Sequence, residues 1–294
     1  MKSLNYSLLN SARNYFLIAL ALAFFTACNP DEGIISIGED ETELLENESV
    51  LEADFEDVES LGVDAMEMTD YSSFGRMRGG LDGSVLNTTH TTGCPTITHD
   101  SINKVITVDF GASCTGPNGR VRSGQIIVTY TRRLYHPGAS LQIALNNYFV
   151  DGKQIEGTKT LTNTMTNYRD TVSFQTTLVG GKITWPDGTF AEREFTREGK
   201  WVRGNNPLQD EFWREGSIDG IRRNGNTYEG DITSTLIYKR KCKRVGVFIA
   251  VEGTRLIKRS GKPDLTIDYG DGTCDHMVTL SANGQSRTVD VRNL

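Results

Sequence analysis

Seven glycine dipeptides do most to limit what this chain can fold into. Asn118-Gly119, Asp151-Gly152, Gly180-Gly181, Asp187-Gly188, Asn224-Gly225, Asp271-Gly272 and Asn283-Gly284 recur through the C-terminal two thirds of a 294-residue sequence. Each offers the positive φ that a two-residue hairpin turn demands. Between them lie short runs rich in β-branched and aromatic residues, such as Val105-Ile106-Thr107-Val108-Asp109-Phe110, Ile126-Ile127-Val128-Thr129-Tyr130, Thr171-Val172-Ser173-Phe174 and Thr235-Leu236-Ile237-Tyr238. These are strand signals, and tight turns between them make each strand pair with its sequence neighbour. The expectation is an all-β domain over residues 93–294, an antiparallel meander. The pattern leaves open whether it forms a sandwich, a barrel or a curved open sheet.

Within that domain one segment repeats. Ile106-Thr107-Val108-Asp109-Phe110-Gly111-Ala112-Ser113-Cys114 matches Leu265-Thr266-Ile267-Asp268-Tyr269-Gly270-Asp271-Gly272-Thr273-Cys274 with one inserted residue. A cysteine precedes each copy, Cys94 in the first and Cys242 in the second, and a turn separates it from the returning strand. Two similar hairpins, with disulfides Cys94–Cys114 and Cys242–Cys274, are therefore expected, as suits an oxidising compartment. The alternative is a metal site using His90, Cys94, His99 and Cys114, but this spacing fits no zinc pattern, and no metal or cofactor is expected. Asp268, Asp271 and Asp275 read as turn residues, since an EF-hand's spacing and terminal Glu are missing.

Charge is unevenly placed. Residues 31–70 hold 16 Asp or Glu and no Lys or Arg, whereas residues 71–294 carry a net +7. In the acidic stretch, Leu44, Leu51, Phe55, Val58 and Leu61 recur at helical spacing, which predicts a short amphipathic helix from about Glu43 to Leu61, with Gly62 as its stop. The simpler expectation is that its apolar stripe packs on the β domain and its acidic face meets water. The sharper one is that the acids dock on the positive body or on a cationic partner. Residues 28–71 thus read as an acidic arm and residues 72–92 as a glycine-rich linker. The overall net charge of −7 argues against a nucleic-acid partner.

The N-terminus carries an address. Lys2 and Arg13 precede a 13-residue apolar run, Tyr15 to Ala27, too short to span a membrane. Residues 1–27 are expected to be a signal peptide. Phe25-Thr26-Ala27-Cys28 resembles the lipobox of bacterial lipoproteins, and Asn29-Pro30-Asp31-Glu32 is similar to the acidic export signal of surface lipoproteins of Bacteroidota. The resemblance implies lipidation, palmitate included, at Cys28 and an outer-membrane location, at the cell surface or on the periplasmic face. Asp100-Ser101-Ile102 and Asp170-Thr171-Val172 are similar to the Bacteroidota O-glycosylation sequon, which makes Ser101 and Thr171 candidate acceptors.

Catalytic machinery is sparse. There is no Gly-x-Ser-x-Gly, phosphate loop or His-Glu-x-x-His, and the four histidines, at 90, 99, 136 and 276, are scattered. Glu192 and Glu194 share a strand face, as any i, i+2 pair does. Gly181 to Phe190 resembles one MORN-type hairpin and is read as a turn signature. Trp185, Trp201 and Trp213 are the candidate platform for a sugar. The expectation is a lipid-anchored envelope protein that binds or supports without catalysis, held to the membrane by its anchor, with a glycan or envelope protein as partner. The alternatives are a carbohydrate-binding accessory of a polysaccharide-uptake system and, further off, an enzyme of unrecognised type. Oligomeric state is not legible.

Overall fold

A computed structural model describes residues 38–74, 94–116 and 119–293. The signal peptide, Cys28, the Asn29–Glu32 segment, His90 and most of the expected linker lie outside the described residues. Helix α1 (Glu39–Phe74) comes first. It is followed by β1 (Thr96–Asp100), β2 (Val105–Asp109), β3 (Cys114–Thr115), β4 (Val121–Tyr130), β5 (Ser140–Val150), β6 (Lys153–Asn163) and β7 (Val172–Thr184). Then come β8 (Phe190–Val202), β9 (Glu211–Ile221), β10 (Thr227–Lys239), the short helix α2 (Arg240–Arg244), β11 (Glu252–Lys258), β12 (Leu265–Asp271), β13 (Met277–Ala282) and β14 (Gln285–Asp290).

The strands form one antiparallel sheet in chain order, with only the two-residue β3 set off the path, beside β4. The meander expected from the turns is therefore present, and it is an open sheet with β1 and β14 at its edges. Asp151-Gly152, Asp187-Gly188, Asn224-Gly225 and Asn283-Gly284 do lie at hairpin turns. Gly180-Gly181 does not: it sits inside β7, where the register with β8 shifts between Leu178 and Gly181. Similar shifts interrupt β4, β5, β6, β10 and β11, and such bulges bend and twist a sheet. Gly124 and Gly253 show why glycine occupies them. At φ +79° and +101°, a Cβ on either would lie 1.9 Å from the Asn147 carbonyl oxygen or 2.2 Å from that of Thr235.

The bent sheet wraps around α1, and helix and sheet belong to one compact unit, Ile37–Leu294. Leu44, Leu45, Leu51, Phe55, Val58, Leu61, Ala65 and Met66 are buried in the same apolar cluster as Ile106, Val128, Ile143, Leu236, Ile267 and Leu280. The helix is longer than expected, and Gly62 does not stop it. The glycine is there for close approach, since a Cβ at Gly62 would lie 2.6 Å from Cδ1 of the fully buried Ile143. Gly62→Val should lower unfolding stability by about 1–3 kcal/mol through overpacking. Denaturant titration checks this, and a stabilised variant would contradict the close contact.

Both expected disulfides are present, and each closes a hairpin. Cys94–Cys114 spans β1 and β2 with a sequence separation of 20, and Cys242–Cys274 spans β11 and β12 with a separation of 32. Cys242 opens from α2 rather than from a strand. Replacing Cys94 and Cys114 together by Ala should cost about 3 kcal/mol from the freed loop, read as a fall in the denaturant midpoint.

Candidate functional site

The most unusual chemistry of the molecule is inside it. Inward positions on a strand follow period two, and on β8 the sequence Ala191-x-Arg193-x-Phe195-x-Arg197 puts two arginines on the same face as buried Ala and Phe. Arg214 on β9, Arg255 on β11, Lys159 on β6 and Arg122 on β4 face inward in the same way, and all are buried. Opposite them α1 presents Glu48, Glu52, Glu56 and Glu59 along one stripe, with Asp54 and Asp57 beside it.

The pairing is dense. Glu52 lies 2.8 Å from both Arg193 and Arg197 and 2.9 Å from Arg255, and also accepts the Tyr238 hydroxyl. Glu48 takes Arg193 at 2.6 Å and Arg255 at 2.8 Å. One turn on, Glu56 meets Lys243 at 3.1 Å and Lys159 at 3.5 Å, while Glu59 meets Lys159 at 2.6 Å and also Arg214. Asp57 takes Arg122 at 2.7 Å, and Asp54 binds Arg120 and, at 2.8 Å, Lys153. At the helix start Asp40 and Glu41 hold Arg259, each at 2.9 Å, and Asp40 also holds Arg222 at 3.0 Å. The simpler expectation, an acidic face turned to water, is thus corrected. The sheet's cations draw that face inside, because a buried arginine needs a carboxylate partner to offset its desolvation.

Burial by itself would raise these carboxyls. Around Glu52 the fields of Arg197, Arg255 and Arg193 overcome it and hold the group well below the ordinary range. Glu48 is lowered by Arg193 and Arg255 against the same burial, and Lys159, Lys243 and Arg214 bring Glu56 to about 2. Arginine stays protonated throughout, so these interior charges are fixed near neutral pH and serve packing rather than proton transfer. Carboxyls depressed in the folded state contribute stability above their unfolded value near 4.5, and that contribution is lost as pH falls toward about 2. The melting temperature should therefore be nearly flat from pH 7 to about 5 and drop steeply below about 4.5. A melting temperature unchanged down to pH 3 would exclude this assignment.

The three tryptophans do not form one platform. Trp185 follows β7 at the end of the sheet where α1 starts, with the Arg223 guanidinium 4.4 Å above its ring. Trp201 lies at the far end of the same hairpin, pairs across strands with Phe212 and stacks on it at 6.0 Å. Trp213 pairs with Lys200 and so lies on the opposite face of the sheet from Trp201. Ser101, in the β1–β2 turn, and Thr171, before β7, are both exposed. Glu192 and Glu194 point outward, Glu192 at 3.8 Å from Lys182 and Glu194 accepting the Gly180 amide. His99 bonds the Tyr130 hydroxyl at 2.7 Å, and no group of three or more metal-ligand residues occurs among the described residues.

Set against protein-family models, curated proteins and solved structures, the chain finds no match. The sharper expectation, acids docked on the positive body, is what the structure has, but the sequence reading missed that these pairs lie in the interior. The signal was strand parity: Arg193 shares its face with Phe195, Lys159 with Leu161 and Arg255 with Ile257.

Proposed function

We propose that this chain is a lipid-anchored envelope protein that acts by binding or as a structural component, without catalysis. The observation that carries this reading is the occupied concave face. The surface a curved sheet would ordinarily offer to a ligand is filled by the chain's own helix, and its charges are neutralised there. Partners are left the loops at the sheet's ends and its convex face. Anchoring rests on the likeness of residues 25–28 to a lipobox. The ten residues 29–38 would tether the helix start within about 35 Å of an acylated Cys28. With such a tether the end that carries the helix start and the Asn224-Gly225 turn would face the membrane, and the end with Ser101 and Thr171 would face away from it.

Labelling the native host with a palmitate analogue tests this reading. The wild-type protein should take up label and Cys28→Ser should not, and shaving intact cells with protease should then separate surface from periplasmic placement. An unlabelled wild-type protein that is freely secreted would refute the anchor. A carbohydrate-binding accessory is the second reading, favoured by the exposed Tyr135 and Tyr168 in the membrane-distal loops.

A further inference from the structure

Three loops meet at the end of the sheet remote from the helix start: the β4–β5, β6–β7 and β8–β9 connections. Between them opens a cleft of about 530 Å³ whose lining includes Tyr135, Tyr168, Trp201, Arg203, Asp170 and Thr171. Its size is that of a small-ligand site.

The lining has a definite chemistry. Tyr168 is 69% exposed and Tyr135 39%, so both rings are open to a ligand in the cleft. Both rings are held in place: His136 lies 4.6 Å from Tyr135 by ring centroids, and its Nδ1 is 2.8 Å from the Tyr168 hydroxyl. Trp201 is fixed by Phe212 behind it and by its Nε1, which donates to Asp210 at 2.9 Å. Asp210 also accepts the Gly204 amide at 3.0 Å, which fixes the backbone next to Arg203.

Arg203 lies 4.7 Å over the Trp201 ring and has no carboxylate within 4 Å among the described residues. That contrasts with the interior arginines. The one acid in the lining, Asp170, is occupied by the amides of Thr166 and Asn167, the Thr166 hydroxyl and the Asn167 side chain. Anchored aromatic faces flanking a guanidinium that has no carboxylate partner among the described residues suit a sugar that carries a carboxylate.

We infer that this cleft binds an acidic glycan, a chain containing uronic acid, with Arg203 on the carboxylate and Tyr168 and Tyr135 against the sugar faces. The inference rests on reading the chain as a binding protein, and it deepens that reading by naming the ligand class. Thr171 lines the same cleft, so the test uses protein whose intact mass shows that residue unmodified.

Titration calorimetry with a galacturonic acid tetramer, and with a neutral cellotetraose of equal length, decides the matter. The acidic tetramer should bind, and cellotetraose should bind at least tenfold more weakly. Arg203→Met should lose at least tenfold for the acidic tetramer alone, and Tyr168→Ala should weaken both ligands. Both side chains are exposed, so the variants should keep the wild-type melting temperature. Trp213→Phe, on the other face, should bind as the wild type does. Absence of heat with the acidic tetramer would overturn the inference, as would equal affinity for the two tetramers or binding untouched by either cleft variant. Palmitate labelling probes the anchor without reference to the cleft, so the two readings can fail separately.

Discussion

Glu52→Ala should cost about 3–5 kcal/mol of unfolding stability, because it leaves Arg193, Arg197 and Arg255 buried with much of their neutralising charge gone. The size follows from position as much as from number. Glu52 lies on the helix midway along the sheet, its side chain is 2% exposed, and water cannot reach in to take the place of the lost carboxylate. Urea unfolding of wild type and variant gives the difference directly. A second variant separates the buried-charge explanation from simple loss of volume. Glu52→Gln keeps the shape and some hydrogen bonds while removing the charge, so it should lie close to Glu52→Ala. If Glu52→Gln instead matched the wild type, the lattice would be held by shape rather than charge.

Deleting α1 altogether should prevent the sheet from folding. Residues 93–294 alone would expose Leu141, Ile143, Ile267 and their neighbours, and would leave the inward arginines and lysines without counter-charges. The expected result is an insoluble or molten product, recovered as folded protein when a segment covering residues 38–74 is supplied in trans. By itself that segment should be largely unstructured, since its many carboxylates repel one another with no Lys or Arg among them. Far-ultraviolet circular dichroism of the segment, the truncated sheet and their mixture distinguishes these states. A truncated sheet that melts cooperatively at the wild-type temperature would show that the helix is an accessory rather than the core.

Much of the architecture was legible because hairpin turns are local. Asn224-Gly225 and Asn283-Gly284 announce their turns from two residues, and Cys94, Cys114, Cys242 and Cys274 sit where the repeated segment put them. The helix was harder. A run of Glu and Asp usually ends in water, which favours the solvated reading of α1 over docking on the body, and the cations that capture its acids lie more than 60 residues away in sequence. Gly62 misled for a related reason: glycine beyond an apolar stripe is an ordinary helix stop, and only the position of Ile143 shows that here it makes room. The candidate tryptophans failed as a group because parity separates them. Trp201 and Trp213 are close in sequence, yet they lie on opposite faces of adjacent strands. The cleft residues come from three loops, and nothing local in Tyr135, Tyr168 or Arg203 signals that they meet.

The helix at the centre of the sheet also has a consequence for the order of events during synthesis. The segment that becomes the core is made first and can make none of its native contacts until the later strands arrive. Asp40 waits 219 residues for Arg259. Contacts so distant in sequence slow folding, so the acidic segment stays solvated until the strands that carry its partners are made, and the last of these pairs close only once β11 is present. A chain that stops before Arg255 would lack β11 to β14 and would leave Glu48, Glu52, Asp40 and Glu41 without the Arg255 and Arg259 partners that complete their burial. Completeness of the chain is thereby checked by the fold itself.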